Sequence, residues 1–269
     1  MVVFPKAKIN IGLNIVEKRP DGFHNIETVF YSIGLSDVLE IIPSKKTAFF
    51  NEGIKVDGDP EKNLVMKAYR ALEKKYKLPP VEIYLFKKIP FGSGLGGGSS
   101  DAAETIVLLN SLFGLKMSDE QQHEIASGLG SDCSFFIKKV PCFASGKGEI
   151  LETSEISLKD KHLLLVCPET KVNTATAYSG VTPQKPSESL KKLIHSPIEK
   201  WKDLIVNDFE KSIFITFPEL EKIKNQLYKD GAIYASMSGS GSSVYGIFDD
   251  LPQKFSFSKA FNYSEKLSI

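Results

Sequence analysis

The sequence predicts an α+β protein, because strands and helices are interleaved without the regular strand–helix–strand spacing of a parallel α/β fold. Residues 8–15 alternate strictly between aliphatic and polar side chains, which indicates a half-buried strand. Residues 61–76 carry apolar side chains at helical spacing, and residues 81–86 again favour a strand. A boundary near residue 150 divides the 269 residues into two expected domains, 1–150 and 151–269.

The other predicted elements follow in chain order. Strands are expected at residues 28–33, 38–42, 162–167, 232–237 and 243–248, and helices at 102–113, 119–127 and 217–229. Gly114 ends the helix at 102–113, in the position where glycine accepts a left-handed backbone. Residues 182–200 are rich in proline, lysine and serine and predict a mobile surface insertion.

Composition excludes several classes of function. The net charge of +1 gives no reason to expect nucleic acid or an anionic membrane as a partner. No apolar run approaches the ~20 residues of a membrane span, and the first residues do not read as a signal peptide. The cysteines Cys133, Cys142 and Cys167 lack metal-ligand spacing and predict reduced thiols, so we expect a cytoplasmic protein.

The most informative segment is residues 90–101, in which five of twelve residues are glycine. Ordering so many glycines is costly in backbone entropy, and chains accept that cost where the backbone must come very close to another group. A helical pattern follows at once. A glycine loop that leads into a helix presents free backbone N–H groups to an anion, so the segment predicts a phosphate site.

Three kinds of phosphate loop compete for this segment. A P-loop fails because Gly98 stands where its lysine is required. A dinucleotide fingerprint fits Gly92, Gly94 and Gly97, but such loops normally follow the first strand. The third is a kinase loop that ends in paired serines, which then cap the helix, bind phosphate or hold Mg²⁺.

Asp101 and Glu104 complicate this interpretation. The helix dipole favours acidic residues in a first turn, yet the same carboxylates repel a nearby phosphate. Either they point away from the anion or a divalent cation lies between, and a magnesium–nucleotide complex suits the second case.

Three segments in order resemble the motifs of the GHMP kinases. The glycine loop 90–100 is similar to their ATP-binding motif, residues 7–13 to their first motif and residues 236–243 to their third. The resemblance implies an N-terminal ATP-binding domain of the ribosomal-protein-S5-like type, a ferredoxin-like C-terminal domain and an active site in the cleft between them.

Finer features resemble the GHMP subfamily that phosphorylates the 2-hydroxyl of CDP-methylerythritol in non-mevalonate isoprenoid synthesis. They are residues 8–10, 19–24, 63–65, 130–136 and 207–210. The resemblance implies ATP and Mg²⁺ as cofactors and a small-molecule partner. Whether the chain is a monomer or a homodimer stays open from the sequence. It does not fix the magnesium ligands, for which the hydroxyls of Ser99 and Ser100 are the candidates.

The resemblance carries catalytic roles onto two residues. Asp132 matches the aspartate that accepts or orients the hydroxyl proton, and Lys8 matches its electrostatic partner. On residue types alone, Asp132 is equally readable as a helix N-cap and Lys8 as a surface lysine, while Lys6 shares the strand face of Lys8.

Binding roles carry over in the same way. For ATP they fall on Pro90, Phe91, Gly92, Ser93, Gly94, Leu95, Gly96, Gly97, Gly98, Ser99, Ser100 and Asn63. For the acceptor they fall on Asn10, Phe23, His24, Tyr31, Asn173, Thr174 and Tyr178. Phe23 and Tyr178 match aromatics that stack on cytosine, and the family often has tyrosine where Phe23 stands. Asn63 is also a natural helix N-cap.

The loop 238–242 reads either as a plain hairpin connection or as a support packed against the phosphate loop, and we favour the second. Other functions stay open from the sequence: a mevalonate or homoserine type of GHMP kinase, a nucleotide-binding regulator without catalysis, or, remotely, a dinucleotide-dependent oxidoreductase. The cytidine-reading pair at 23–24 argues against the first, and Lys8 together with Asp132 against the second.

Overall fold

A computed structural model describes residues 1–56, 58–253 and 257–268. The strands are β1 Val2–Val3, β2 Lys6–Lys18, β3 His24–Ser36, β4 Val38–Pro43, β5 Ala48–Gly53, β6 Val81–Lys87, β7 Cys142–Ser145, β8 Ile150–Thr153, β9 His162–Pro168, β10 Tyr234–Met237, β11 Val244–Phe248 and β12 Ala260–Lys266. The helices are α1 Leu64–Tyr76, α2 Gly97–Leu112, α3 Asp119–Leu129, α4 Cys133–Lys138, α5 Thr174–Ser179, α6 Leu190–Leu193, α7 Trp201–Leu204, α8 Glu210–Thr216 and α9 Pro218–Lys229. Among these described helices, none is long and apolar enough to cross a membrane. The predicted α+β class is confirmed.

Two compact units emerge. Unit 1 comprises residues 1–8, 35–91 and 96–139, and its sheet has the order β1-β4-β6-β5. Strands β4 and β6 are antiparallel, whereas β5 runs parallel to β6. Helices α1 to α4 pack against one another, α2 contacts β4, and the apolar face of α1 contributes to a core with Leu39, Ile83 and Ile106. This core supports the start of α2.

Unit 2 comprises residues 9–34, 92–95 and 140–269. Most of β2 and β3 joins β7 and β8 in one sheet, and β10-β11-β9-β12 form a second, antiparallel sheet. Helices α8 and α9 pack against each other, and α9 lies on β10 and β11. The glycine loop passes from unit 1 into unit 2 at residue 92 and returns at residue 96.

The structure corrects three local predictions. Helix α2 begins at Gly97 rather than at residue 102. Residues 7–13 of β2 are buried on both faces, so that strand is not half-buried. Residues 182–200 contain α6 and a 3₁₀ turn and bury Leu190 and Ile194, so this segment is packed into unit 2 rather than a loose insertion.

Candidate active site

The first turn of α2 has a glycine N-cap and a close-packed backbone. Gly96 is its N-cap with φ +69°, and within the described chain no side chain caps the helix. The N–H groups at the start of the helix therefore lack intrahelical partners, and the positive end of the helix dipole lies with them. A Cβ on Gly96 would come within 2.9 Å of Phe136 Cζ and 3.2 Å of Lys8 Cε. Only glycine fits both this backbone angle and this space.

The paired serines are not helix caps, because they are the third and fourth residues of α2. Burial raises the pKa of the Cys133 thiol to about 11, and the neighbouring Ser99 side chain opposes that shift. Ser100 Oγ is buried and has no hydrogen-bond partner among the described residues. A polar atom left in this state next to a proposed anion site suits a ligand-facing role.

Lys8 and Asp132 meet in unit 1. Lys8 Nζ lies 3.5 Å from Asp132 Oδ2, and the lysine side chain is 3% exposed against 35% for the aspartate. Burial lowers the pKa of Lys8, while the charge of Asp132 and its hydrogen bond oppose that shift. Asp132 precedes α4 but forms no capping hydrogen bond within the described chain, which removes the helix-cap interpretation. Lys6, the weaker alternative, is exposed.

A cavity of about 490 Å³ opens beside this turn in unit 1. Apolar and polar groups line it together, and Asn63, Phe91, Gly98 and Leu64 are among them. Asn63 Oδ1 accepts the N–H of Val65 at 2.9 Å and so caps α1. The capping role is thus confirmed, and the predicted adenine contact is compatible with its place on the cavity wall.

In unit 2, the loop after β10 packs on residues 93–94. Ser238 Oγ donates to Gly94 O at 2.9 Å, and Ser243 N donates to Ser93 O at 3.1 Å. A Cβ on Gly94 would lie 2.0 Å from Ser238 O, so the two backbones touch. The prediction that the loop 238–242 supports the glycine loop is confirmed.

The predicted acceptor aromatics lie together in unit 2 in an arrangement that differs from the expected sandwich. The rings of His24 and Tyr178 stack with centroids 4.9 Å apart, and Phe209 meets Tyr178 edge-on. Phe23 is 57% exposed, with Lys147 Nζ 4.9 Å from its ring centroid. Since a base between two rings needs a centroid separation of about 7 Å, no base fits between His24 and Tyr178 as they stack in this structure. Burial, and then the charge of Lys18, lower the pKa of His24.

The remaining predicted acceptor residues also belong to unit 2. Asn10 is buried, and its Nδ2 donates to Thr28 Oγ1 at 2.9 Å. Asn173 caps α5, and Thr174 Oγ1 lies 3.1 Å from Ser240 Oγ. Tyr31 is 1% exposed and its hydroxyl accepts the N–H of Leu158, so it can support a pocket wall but offers no ring face to a base.

Comparison with known proteins gives these features a family. The family model described as "GHMP kinases N terminal domain" matches residues 63–139, and the one described as "GHMP kinases C terminal" matches residues 189–263. The 4-diphosphocytidyl-2-C-methyl-D-erythritol kinase of Parabacteroides distasonis is 52% identical, with all of both chains covered. That of Cytophaga hutchinsonii is 47% identical over 95% of each chain. The chain belongs to the 4-diphosphocytidyl-2-C-methyl-D-erythritol kinase family of the GHMP kinases.

Solved structures agree with this assignment. A crystal structure of a 4-(cytidine 5'-diphospho)-2C-methyl-D-erythritol kinase superposes with a TM-score of 0.79 at 29% identity, covering 92% of this chain and 90% of that one. The Methanococcus jannaschii mevalonate kinase matches with a TM-score of 0.67 at 15% identity, over 100% and 98% of the two chains, which shows a shared fold alone. The predicted GHMP fold is confirmed, the chain is a small-molecule kinase, and the dinucleotide spacing of the glycine loop was accidental.

Residues 207–210 belong to the family resemblance, but the sequence predicts no role for them. Asn207 Nδ2 donates to Met237 O and Gly239 O, both at 2.8 Å, and Glu210 Oε1 accepts the N–H of Met237. These two side chains therefore hold the loop that supports residues 93–94.

A second group of residues that the sequence did not predict as part of the site lies in unit 1. Lys87 Nζ donates to carboxylate oxygens of Asp37 and Asp101, and all three side chains are buried. We call these residues the Lys87 network. One signal was available, because Lys87 continues the inward-facing positions Val81 to Leu85 of β6 at period two. Glu104 bonds Lys139 instead. The acidic residues of α2 thus point to lysines, and no bridging cation is needed to explain them.

Proposed function

We propose that this kinase transfers the γ-phosphate of ATP to the 2-hydroxyl of 4-diphosphocytidyl-2-C-methyl-D-erythritol, giving the 2-phosphate and ADP in non-mevalonate isoprenoid synthesis. The observation that carries the proposal is the Lys8–Asp132 pair, a buried ammonium against a partly exposed carboxylate. Full-length relatives that bear the name of this reaction support the same acceptor.

In the proposed step, the acceptor hydroxyl oxygen forms a bond to the γ-phosphorus while the bond from that phosphorus to the β–γ bridging oxygen breaks. Asp132 holds the hydroxyl and takes its proton as the new bond forms. Lys8 orients Asp132 and attracts the transferring phosphoryl group, and its charge acts strongly because it is removed from water.

The donor nucleotide is assigned to the glycine loop 90–100 and to the cavity. The uncapped first turn of α2 offers N–H groups to the phosphates. The cavity offers apolar walls with polar groups such as Asn63, which suits the nucleoside. Since GHMP kinases use ATP, adenine is the proposed base.

Magnesium is proposed to arrive with the nucleotide. Among the described residues, no cluster of three or more histidine, cysteine or carboxylate side chains offers a dedicated metal site. Mg²⁺ commonly keeps several waters and takes phosphate oxygens plus one or two protein oxygens, so the unpartnered Ser100 Oγ and the neighbouring Ser99 fit such an ion. When bound, the ion neutralises charge on the phosphates.

Cytidine recognition is assigned to residues 23–24 and Tyr178. We propose that the base takes the face of Tyr178 that His24 covers in this structure, that His24 turns to hydrogen-bond its edge, and that Phe23 stacks on the other face. Asn10, Asn173 and Thr174 complete the proposed acceptor site. Tyr31 supports its wall.

Three broader assignments accompany this function as proposals. They are a cytoplasmic location, a monomeric or homodimeric state, and domains that divide near residue 150.

The deciding experiment follows ADP formation from ATP and Mg²⁺ with 4-diphosphocytidyl-2-C-methyl-D-erythritol, with mevalonate and homoserine as alternative acceptors. Turnover confined to the cytidine compound is expected. Asp132→Asn should lower kcat by at least about 100-fold while ATP still binds, and Asp119→Asn, on an exposed residue of α3, is the matched control. Binding of ATP without any ADP formation would instead favour a non-catalytic regulator.

A further inference from the structure

The Lys87 network joins β6, the β3–β4 junction and α2 through one buried ammonium. Asp37 is fully engaged, because its Oδ2 accepts from Lys87 and its Oδ1 accepts the N–H groups of Lys88 and Ile89 at 2.6 and 2.9 Å. Asp101 is engaged on one side only. Its Oδ2 accepts from Lys87 Nζ at 2.7 Å, while its buried Oδ1 has no partner among the described residues.

This network lies directly beneath the proposed phosphate-binding turn. Asp101 is one helical turn after Gly97, the first residue of α2. Lys87 Nζ is 3.3 Å from the position that a Cβ on Gly97 would take. Lys87, Asp101 and Gly98 also line the 490 Å³ cavity. The ammonium is thus packed against the helix start.

The charges determine what the network can do. A buried carboxylate one turn from a helix N-terminus opposes an anion at that end, and the opposition is strong where water is excluded. Asp37 already has two backbone N–H donors, so Asp101 is the carboxylate that depends most on the lysine. Burial raises the pKa of Asp101 to about 7, and without Lys87 its ionised form would be an uncompensated negative charge under the turn.

We propose that Lys87 is a positioning residue for the nucleotide phosphates: held by Asp37, it cancels the charge of Asp101 and fixes the first turn of α2 against β6. It acts through Asp101 and not by contact with the nucleoside. This inference rests on the proposed function, in which ATP phosphates bind at this turn.

The test compares two ligands in four proteins and one control variant. Dissociation constants for MgADP and for adenosine are measured by calorimetry and ligand-observed NMR in the wild type, Lys87→Met, Asp101→Asn and the double variant. Lys87→Met should weaken MgADP by about 10- to 100-fold and leave adenosine within about 2-fold. The double variant should recover MgADP affinity to within about 3-fold of Asp101→Asn. Lys88→Met, which removes an exposed lysine next in sequence, should bind both ligands as the wild type does.

Two outcomes would overturn the inference: a parallel loss of adenosine binding, which assigns Lys87 to the nucleoside, or no recovery in the double variant. If Lys87→Met does not fold, Asp101→Asn alone decides, because it removes the excess charge and should bind MgADP at least as tightly as the wild type. Weaker binding by that variant contradicts the proposal. A wild type that binds neither ligand refutes the proposed function itself.

Discussion

The contact between Gly94 and the loop after β10 makes a sharp prediction. Gly94 has φ +80°, and a Cβ added there would lie 2.0 Å from Ser238 O and 2.9 Å from Ser238 C. Both atoms are backbone, so no rotamer change relieves the overlap. Gly94→Ala must therefore separate the two loops and break the hydrogen bonds that join Ser238 to Gly94 and Ser243 to Ser93.

The magnitude follows from three contributions. A left-handed backbone costs an alanine about 1–2 kcal/mol, and overpacking adds about 1–3 kcal/mol. Each broken hydrogen bond adds about 1 kcal/mol. We expect Gly94→Ala to lower the free energy of unfolding by about 4–7 kcal/mol. Gly92→Ala is the matched control, because Gly92 has φ +68° but no atom within 4 Å of its added Cβ. It should cost about 1–2 kcal/mol.

Urea unfolding followed by tryptophan fluorescence measures both variants. Trp201 is the only tryptophan in the chain and belongs to unit 2, as do residues 92–95 and 238–243. The KM for ATP should rise in Gly94→Ala more than in Gly92→Ala, since only the first displaces the supporting loop. Equal stability losses in the two variants would refute the close-approach argument and leave backbone strain as the whole effect.

Three further predictions concern single residues. Burial lowers the pKa of Lys8, so its positive charge is present below that pKa and lost above it. We therefore expect kcat to fall on the alkaline side at a pH below the ordinary pKa of lysine. Lys8→Arg should move this alkaline limit of the kcat–pH profile upward, and an unchanged limit would contradict the role of Lys8. Phe23 is exposed, so Phe23→Tyr should change the free energy of unfolding by no more than about 0.5 kcal/mol. The same variant should lower the KM for the acceptor by about 2- to 10-fold, whereas Phe23→Ala should raise that KM. Equal KM values in the wild type and both variants would exclude Phe23 from the site. Asn207→Ala removes two hydrogen bonds to the loop after β10 and should cost about 2–4 kcal/mol in urea unfolding; a loss below 1 kcal/mol would show that the loop is held by other contacts.

Much of the fold was predictable because local patterns reflect burial. The period-two alternation at residues 81–86 predicted β6, and the helical stripe of Leu64, Ala68 and Leu72 predicted α1. The start of α2 was not predictable from propensity, since glycine is a poor helix former. Close packing accounts for the glycine at position 97, because a Cβ there would lie 2.9 Å from Ile89 Cγ2.

The candidate site was predictable only in part, since its residues are distant in sequence. Lys8 and Asp132 are 124 positions apart and were paired by family resemblance, and the structure brings them to 3.5 Å. The stacking of His24 on Tyr178 carried no sequence signal, because each residue was assigned to the base and not to the other. The sequence predicts Asp101 at the first turn of the helix, because it predicts the helix start at residue 102 and not at Gly97. Its partner Lys87 was visible only as a lysine in an inward strand position.

The uncapped start of α2 has a consequence for how the protein's stability depends on its ligand. No side chain in the described chain accepts hydrogen bonds from the first backbone N–H groups of α2. On the proposed function, the phosphates of the donor nucleotide accept these hydrogen bonds. The nucleotide then acts as the missing helix cap. Hydrogen exchange at residues 97–99 should slow on addition of MgADP, and unfolding measured without nucleotide should report a less stable protein than the one that carries it.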